Sequence, residues 1–256
     1  MMSQVKVQFH EADASRRRLL KAVTAGGAAI AVAPGVKLFQ AAHAKPDDQA
    51  VSDKNRWGLL IDINRCADGC EDCVDACQVE NGWGKGSSDE QLSRPDQKAQ
   101  WIRKVEVKDP HTRRSFSMPV MCQHCESPPC QDVCPTGASF KREDGLVMVD
   151  RHICIGCRYC MMACPYKARS FVHETLTDQR AHQPRGKGCV ESCTLCAHRV
   201  DKDKLPACVE SCQHGAMLFG DLNDPQSEIS QKLASVASRQ LREDLRLNTG
   251  VRYTGI

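Results

Sequence analysis

The chain has 256 residues, a formal net charge of +3 and 17 cysteines, while aromatic residues make up only 5%. With so few large side chains to fill a core and so many thiols, the composition points to stabilisation by metal or by covalent links. The charges are mixed along the chain, which argues against a nucleic-acid-binding surface. No run of 18 or more apolar residues follows the N-terminal segment, so we do not expect the mature protein to span a membrane.

The N-terminal segment is typical of an export signal. An arginine pair at 16–17 opens a basic stretch, an Ala- and Gly-rich apolar run covers 22–33, and the Ala-His-Ala sequence at 42–44 suits a cleavage site. The arginine pair resembles the twin-arginine type of signal, a route associated with proteins that fold around cofactors before transport. We predict a signal peptide over residues 1–44 and a periplasmic mature protein. The alternative is a cytosolic amphipathic helix with a basic start.

The next elements in chain order are strands and loops. A short buried strand is predicted over 57–63, followed after the first cysteines by a polar loop over 80–100. Residues 102–107 alternate apolar and polar side chains, and 116–120 can return as the partner strand across a turn at 109–112.

The last third of the chain is predicted to contain a polar loop and a helical tail. The loop covers 173–188, and the tail covers 223–256. Asp224 is a suitable N-cap with Pro225 at the first helical position. Apolar residues recur at helical spacing over 226–247, which predicts one or two amphipathic helices.

Sixteen of the cysteines fall into four groups. The first, spaced C-x3-C-x2-C-x3-C, is Cys66, Cys70, Cys73 and Cys77. The second, spaced C-x2-C-x4-C-x3-C, is Cys122, Cys125, Cys130 and Cys134. The third, spaced C-x2-C-x2-C-x3-C, is Cys154, Cys157, Cys160 and Cys164. The fourth, spaced C-x2-C-x11-C-x3-C, is Cys193, Cys196, Cys208 and Cys212. Cys189 remains outside the groups and is expected to be a free thiol.

The third group, followed by Pro165, is the spacing of bacterial ferredoxins. Three thiolates separated by two residues wrap a loop around one iron–sulfur cubane, so that backbone N–H groups can point at its sulfurs. The fourth cysteine follows on a short helix that leads away and therefore reaches a neighbouring cluster. Four such groups make two pairs and predict four [4Fe–4S] clusters.

Two other uses of the cysteines compete with this interpretation. Disulfides are expected in an exported protein, but four closely spaced cysteines have poor geometry for mutual bridges. Zinc also uses C-x2-C pairs, usually two pairs 12–20 residues apart. A zinc- or disulfide-stabilised scaffold is therefore the alternative from another class. No C-x-x-C-H motif is present, so haem c is not predicted.

Residues beside the cysteines are interpreted as tuning or structural groups. His124 and His214 are expected not to be ligands, because the chain lacks the paired boxes of a Rieske site. Basic residues around the central groups could offset cluster charge or donate to sulfur, or could be solvated surface: Lys141, Arg142, Arg158, Lys167 and Arg169. No nucleophile–base pair is visible, so an electron-transfer subunit is predicted and no catalytic residue.

The segment from Met121 to Phe171 resembles the four-cluster ferredoxin subunits of respiratory membrane complexes. The motifs that carry this resemblance are Met-Cys-Gln-His-Cys-Glu-Ser-Pro-Pro-Cys, Cys-Pro-Thr-Gly-Ala, Cys-Ile-Gly-Cys-Arg-Tyr-Cys and Ala-Cys-Pro-Tyr. The match extends over residues 57–222. Within the family, the twin-arginine signal, the C-x3-C opening of the first group, Trp57 and the ending Gly-Val-Arg-Tyr look most like a periplasmic ferredoxin of sulfur-metabolising bacteria.

The resemblance implies an α+β fold of tandem, nested two-cluster ferredoxin-like units with loop insertions and the helical tail. The outer unit would comprise 57–121 plus 189–222, and the inner unit 122–172. It also implies crossed ligand pairing. The four ligand sets would be Cys66, Cys70, Cys73 with Cys212; Cys193, Cys196, Cys208 with Cys77; Cys122, Cys125, Cys130 with Cys164; and Cys154, Cys157, Cys160 with Cys134.

By the same resemblance, the protein would relay electrons in a membrane-bound redox complex of sulfur metabolism. Its partners would be a membrane-integral, quinone-interacting subunit and a multihaem cytochrome c or other redox subunit. The protein would be held at the membrane through those partners. The alternative within electron transfer is the ferredoxin subunit of a molybdopterin reductase, for example one for polysulfide or tetrathionate.

Overall fold

The computed structural model describes residues 51–83, 97–111, 113–176 and 179–256. In these residues the strands are β1 (Trp57–Asp62), β2 (Ile102–Lys108), β3 (Ser115–Met121), β4 (Ser139–Lys141), β5 (Val147–Val149), β6 (Ser170–Phe171), β7 (Val190–Glu191), β8 (Met217–Asp221) and β9 (Val251–Thr254). The helices are α1 (Asp72–Asn81), α2 (Pro129–Asp132), α3 (Tyr159–Ala163), α4 (Ala197–Val200), α5 (Ala207–Glu210) and α6 (Glu228–Ser235). The predicted α+β class is confirmed. The predicted signal peptide and most of the 80–100 loop lie outside the described residues.

A three-stranded sheet joins the beginning and the end of the described chain. Its order is β8-β1-β9, with β8 antiparallel and β9 parallel to β1. The run from Leu59 to Ile61 is buried on both faces of the strand, which explains why it is continuously apolar and does not alternate. The predicted strand over 57–63 is thereby confirmed.

The other strands form two-stranded ribbons. β2 and β3 pair antiparallel from Ile102 opposite Met121 to Lys108 opposite Ser115, which confirms the predicted hairpin. β4 pairs with β5, and β6 pairs with β7, both antiparallel. Two-stranded ribbons are marginal by themselves in water, so these must be held by packing or by cofactors.

Tyr253 links the central sheet to the hairpin that leads into the second cysteine group. Its side chain is fully buried, and its hydroxyl donates to the Pro119 carbonyl over 3.1 Å. The same hydroxyl accepts from Gln123 Nε2 at 3.1 Å. A buried tyrosine needs such partners for its hydroxyl. This contact fixes β9 against the residues on either side of Cys122.

The helical part of the tail is shorter than predicted. The helix α6 begins after Ser227, whose Oγ accepts from Ser230 N–H, and not after Asp224. The Asp224 carboxylate instead accepts from Gln226 N–H in a turn that precedes the helix.

Beyond α6 the tail is mostly not helical. Val236 ends α6 with an extended backbone, which a β-branched residue adopts easily. Arg239 then exchanges both backbone hydrogen bonds with Tyr253, and a single 3-10 turn covers Glu243–Leu245. The chain then closes as β9 in the central sheet, a position that helical periodicity does not reveal.

Within the residues that the structure describes, no helix has the length and apolar character needed to cross a membrane. In the predicted polar loop, the described residues of 173–188 carry one isolated bridge, between Arg180 and Gln183.

Candidate metal centres

The last two cysteines of every group lie one helical turn apart. They flank or occupy α1, α2, α3 and α5, with a spacing of i and i+4 that puts both thiols on the same face. One turn advances the second thiol by about 6 Å along the helix axis. The third and fourth cysteines of a group can therefore face two neighbouring cavities.

The second group's cavity is lined by buried cysteines. It takes up about 310 Å³ between protein atoms, and Pro129, Tyr166 and Arg169 are part of its wall. The cysteines that line it are Cys122, Cys125, Cys130 and Cys164. All four are buried.

The third group's cavity is close in size, about 290 Å³, but lies at the surface. The cysteines that line it are Cys134, Cys154, Cys157 and Cys160. Cys157 is exposed, and so are its neighbours Ile155 and Tyr159, at 66% and 59%.

Gly156 shapes the loop at the third group's cavity. Its φ is +69°, and an added Cβ would lie 2.2 Å from the Gly188 carbonyl oxygen. Only glycine fits this position without moving the neighbouring backbone.

The first group's cavity, about 320 Å³, recruits a cysteine from the far end of the sequence. The cysteines that line it are Cys66, Cys70, Cys73 and Cys212. The side chains of Lys104 and His214 are also part of the wall. Packing of α1 against α5, which brings Ser211 Oγ to the Asp72 carbonyl, places Cys212 there.

The remaining four cysteines meet around Cys77. The Cys193 thiol interacts electrostatically with those of Cys77, Cys208 and Cys196, and the Cys208 thiol interacts with those of Cys77 and Cys196. All four are buried. The structure thus brings together four sets of four thiols, each combining three cysteines of one group with the last cysteine of another.

The chemistry of these sets fits iron–sulfur clusters. Burial raises the pKa of Cys73, Cys77, Cys122 and Cys125 to about 12, so the thiolate forms are strongly disfavoured without a compensating positive charge. Cluster iron supplies that charge and displaces the thiol protons. Four thiols around one cavity is also the donor number that a cubane requires.

Four side chains among the described residues donate hydrogen bonds to cysteine sulfur. One of them, Asn81 Nδ2, lies 3.5 Å from Cys77 Sγ. Lys104 Nζ lies 2.8 Å from Cys66 Sγ, and the buried Arg169 Nη2 lies 3.1 Å from Cys130 Sγ. Trp83 Nε1 donates to Cys77 Sγ over 3.3 Å. Such donors stabilise negative charge on sulfur and raise the reduction potential of a cluster.

Backbone N–H groups also point at sulfur. Ser139 N–H donates to Cys134 Sγ at 3.3 Å, and Ala216 N–H donates to Cys212 Sγ at the same distance. Against the effect of burial, the hydrogen bonds at Cys134, led by that of Ser139, lower the pKa of its thiol to about 7. These two cysteines are among those that leave their own group to join another.

Only Arg169, of the five basic residues singled out in the sequence, contacts a cysteine sulfur among the described residues. Arg142 instead forms ion pairs with Asp144 and Asp201. The others lie elsewhere: Lys141 Nζ donates to the Glu126 carbonyl, Arg158 stacks over Phe171, and Lys167 is exposed. Sequence reasoning missed Lys104 and Trp83. Lys104 is 38 residues from Cys66, so no local signal marks it. The only clue for Trp83 is its position six residues after Cys77.

His124 and Cys189 both form hydrogen bonds with backbone groups. Burial, the largest effect, lowers the pKa of His124 to about 3, and its neutral ring accepts from Val147 N–H through Nδ1 at 3.0 Å. Cys189 donates through Sγ to the Arg151 carbonyl at 3.3 Å and lies close to the Cys154 thiol.

Comparison with known proteins identifies the family of this chain. Two family models described as 4Fe-4S dicluster domains match residues 65–138 and 114–222. The Hdr-like menaquinol oxidoreductase iron-sulfur subunit 1 of Archaeoglobus fulgidus is 38% identical, over 93% of this chain and 97% of its own. A tetrathionate reductase subunit of Salmonella typhimurium is 36% identical, over 86% and 79%. Protein NrfC of Escherichia coli is 39% identical, over 70% and 71%.

The chain therefore belongs to the family of 4Fe-4S dicluster, ferredoxin-like electron-transfer subunits of multi-subunit oxidoreductases. The two dicluster matches confirm the predicted tandem arrangement. With sixteen grouped cysteines they also correspond to four [4Fe–4S] clusters in the chain.

Proposed function

We propose that each of the four thiol sets ligates one [4Fe–4S] cluster. The sets are Cys66, Cys70, Cys73 with Cys212; Cys193, Cys196, Cys208 with Cys77; Cys122, Cys125, Cys130 with Cys164; and Cys154, Cys157, Cys160 with Cys134. The shared cavities and the donors to sulfur support this assignment. Bound clusters supply one-electron chemistry, while the chain holds them, buries all the ligands of two of them and adjusts their charge.

We further propose that these clusters divide the chain into nested units. The inner unit is 122–172, and 57–121 with 189–222 forms the outer unit. The tail, 223–256, closes the outer unit by returning a strand to β1. Residues 1–44 are proposed to be removed on export.

We infer that the protein is a periplasmic electron relay of the DsrO type, the ferredoxin subunit of the DsrMKJOP complex of sulfur-metabolising bacteria. In that role it exchanges electrons between a multihaem cytochrome c and a quinone-interacting membrane subunit. Names of relatives support this setting: a menaquinol oxidoreductase subunit, a sulfite dehydrogenase subunit and a tetrathionate reductase subunit. The arginine pair at 16–17 supports the compartment.

The exposure of Cys157 is the main observation that supports an electron-relay function. A cluster held there lies at the surface, and its segment also exposes four large apolar side chains, namely Ile153, Ile155, Tyr159 and Met162. Contiguous exposed apolar side chains mark protein contact sites. A cluster at such a surface can pass electrons to a docked partner, while the other three sets, two of them fully buried, serve as internal relay points.

Purification from membranes of the native host tests this proposal. The chain should co-purify with a c-type cytochrome and an integral membrane subunit. Co-purification with a molybdopterin-containing subunit would contradict the DsrO assignment and establish the alternative, the ferredoxin subunit of a molybdopterin reductase. A visible spectrum without iron–sulfur charge-transfer bands, with zinc bound or all thiols oxidised, would establish the scaffold alternative.

Export is tested separately by replacing Arg16 and Arg17 with lysine. The precursor should then accumulate in the cytoplasm with its clusters in place. Continued processing and export of this variant would show that the twin-arginine route is not used.

A further inference from the structure

Three side chains from separate parts of the chain converge beside the fourth cysteine group. Glu80 lies near the end of α1, His182 lies in the loop between β6 and β7, and His198 lies in α4. Their ligand atoms all lie within 4.8 Å of one another. Glu80 Oε1 is 2.7 Å from His198 Nε2 and 3.9 Å from His182 Nε2.

The two imidazole rings are stacked, and both present Nε2 to one carboxylate oxygen. Their centroids are 4.0 Å apart with an interplanar angle of 26°. Two protonated rings would repel each other at this distance, so the stack favours neutral imidazoles. Each Nε2–H then donates to a Glu80 oxygen, and a bound cation would take the place of that proton. His182 Nε2 also lies 2.9 Å from the Glu80 backbone carbonyl oxygen, a further oxygen near the same point.

Arg199 holds the Glu80 carboxylate in place. Its Nη1 donates to Glu80 Oε2 over 3.0 Å, and the same guanidinium also pairs with Glu210. This leaves Glu80 Oε1 directed at the two histidines. A carboxylate fixed through one oxygen and free at the other is the arrangement by which outer partners orient a metal ligand.

We propose that Glu80, His182 and His198 bind a single zinc-type divalent cation, separate from the iron–sulfur clusters. Two histidines and one glutamate are an established zinc donor set, and the partial exposure of His182 leaves a fourth position for water. Ligand distances near 2.1 Å require ligand atoms about 3.4 Å apart in a tetrahedron. The observed 2.7 and 3.9 Å bracket that value, so small side-chain rotations suffice.

Such an ion would link the loop that contains His182 to the segment that contains the fourth cysteine group. Glu80 lies three residues from Cys77, and His198 lies two residues from Cys196. The site therefore connects three chain segments by direct metal–ligand bonds beside one cluster. This proposal does not depend on the electron-relay proposal.

Zinc binding to the iron-loaded mature protein tests the site. After dialysis against Zn²⁺ and removal of loosely bound metal, elemental analysis should find about one zinc per chain beside the full iron complement. Zinc-edge X-ray absorption should show only nitrogen and oxygen neighbours. A sulfur neighbour would mean that zinc occupies cysteine sites, and the proposal would then be overturned.

Single variants locate the ion. His182→Ala and Glu80→Gln should each weaken zinc binding by about tenfold or more with unchanged iron content. His111→Ala, an exposed histidine in the β2–β3 turn, is the matched control and should bind zinc like the unmodified protein. Glu80→Gln also guards against misfolding, since it keeps the side chain's size. Equal zinc binding by all four proteins, or no saturable binding by any, would refute the site.

Discussion

The second and third cysteine groups have nearly the same spacing, and the structure gives them very different surroundings. Cys122, Cys125 and Cys130 lie with Cys164 in a buried cavity whose wall includes a buried arginine. The third group surrounds a cavity of similar size whose Cys157 is exposed. The spacing fixes how many thiols meet, whereas the surroundings fix the potential, lability and accessibility of what they bind.

This difference assigns distinct roles to two neighbouring clusters. A buried cluster with a cationic donor is protected and is expected to have a raised potential, whereas an exposed cluster is accessible to partners and to damage. Chelation and redox titration distinguish the two environments.

The largest expected effect is selective loss of the exposed cluster. On treatment with a strong iron chelator under limited oxygen, about 4 of about 16 iron atoms should leave in a fast phase, because Cys157 of this set is exposed whereas the cysteines of the other sets are buried or half-buried. The fast phase is measured by monitoring iron release through absorbance. In Cys134→Ala protein, which lacks a ligand for that cluster, the fast phase should vanish.

Cys164→Ala protein is the matched comparison for that experiment. It loses a ligand of the buried cluster, and the fast phase should persist. If the fast phase disappeared in this variant and remained in Cys134→Ala, the exposed cluster would have been assigned to the wrong set.

The next largest effect concerns Arg169. Its guanidinium donates to Cys130 Sγ and to Ser139 Oγ and is buried, so its charge is weakly screened. Arg169→Gln should lower most the potential of the cluster held by Cys130, by about 60 mV for each factor of ten lost in the one-electron equilibrium. The neighbouring cluster should shift less, through the interaction of the guanidinium with Cys160. Redox titration followed by electron paramagnetic resonance measures the shift.

Arg142→Gln is the control for the arginine variant. Arg142 is also partly buried but pairs with Asp144 and Asp201 and not with sulfur. All four potentials should remain close to those of the unmodified protein. A shift equal to that of Arg169→Gln would mean that general charge, and not the contact with sulfur, sets the potential.

A smaller effect is expected at the first group. Lys104 donates to Cys66 Sγ, but it is only partly buried, so water replaces part of its effect. Lys104→Met should lower the potential of a different cluster from that affected by Arg169→Gln, and by less. Lys108→Met, an exposed residue on the same strand, should leave the potentials unchanged. Identical shifts of the potential in both lysine variants would show that the contact of Lys104 with Cys66 does not set the potential.

The sequence predicts the cysteine groups well because their information is local. The spacing of each group already contains the loop and the helical turn that place its thiols. The strands at 57–63 and 102–107 are likewise predicted from short apolar patterns. The exposure of Cys157 is not predictable in this way, because it depends on which distant segments cover each cavity.

The tail shows where local patterns fail. Helical periodicity predicts α6, yet Val251 and Tyr253 form a buried strand whose partner, β1, lies almost 200 residues earlier. A four-residue strand carries too little pattern to outweigh the helical signal before it. The contact of Lys104 with Cys66 is missed for the same reason, since tertiary packing alone brings the two together.

Paired cysteine variants test the crossed arrangement most directly. Iron and acid-labile sulfide are measured in Cys122→Ala, in Cys164→Ala, and in the double variants Cys122→Ala/Cys164→Ala and Cys154→Ala/Cys164→Ala. The first double variant should lose no more iron than either of its single variants, because both ligands serve one cluster, whereas the second should lose two clusters. The reverse pattern, with Cys154 and Cys164 non-additive and Cys122 and Cys164 additive, would show that each group closes on its own cluster and would contradict the account.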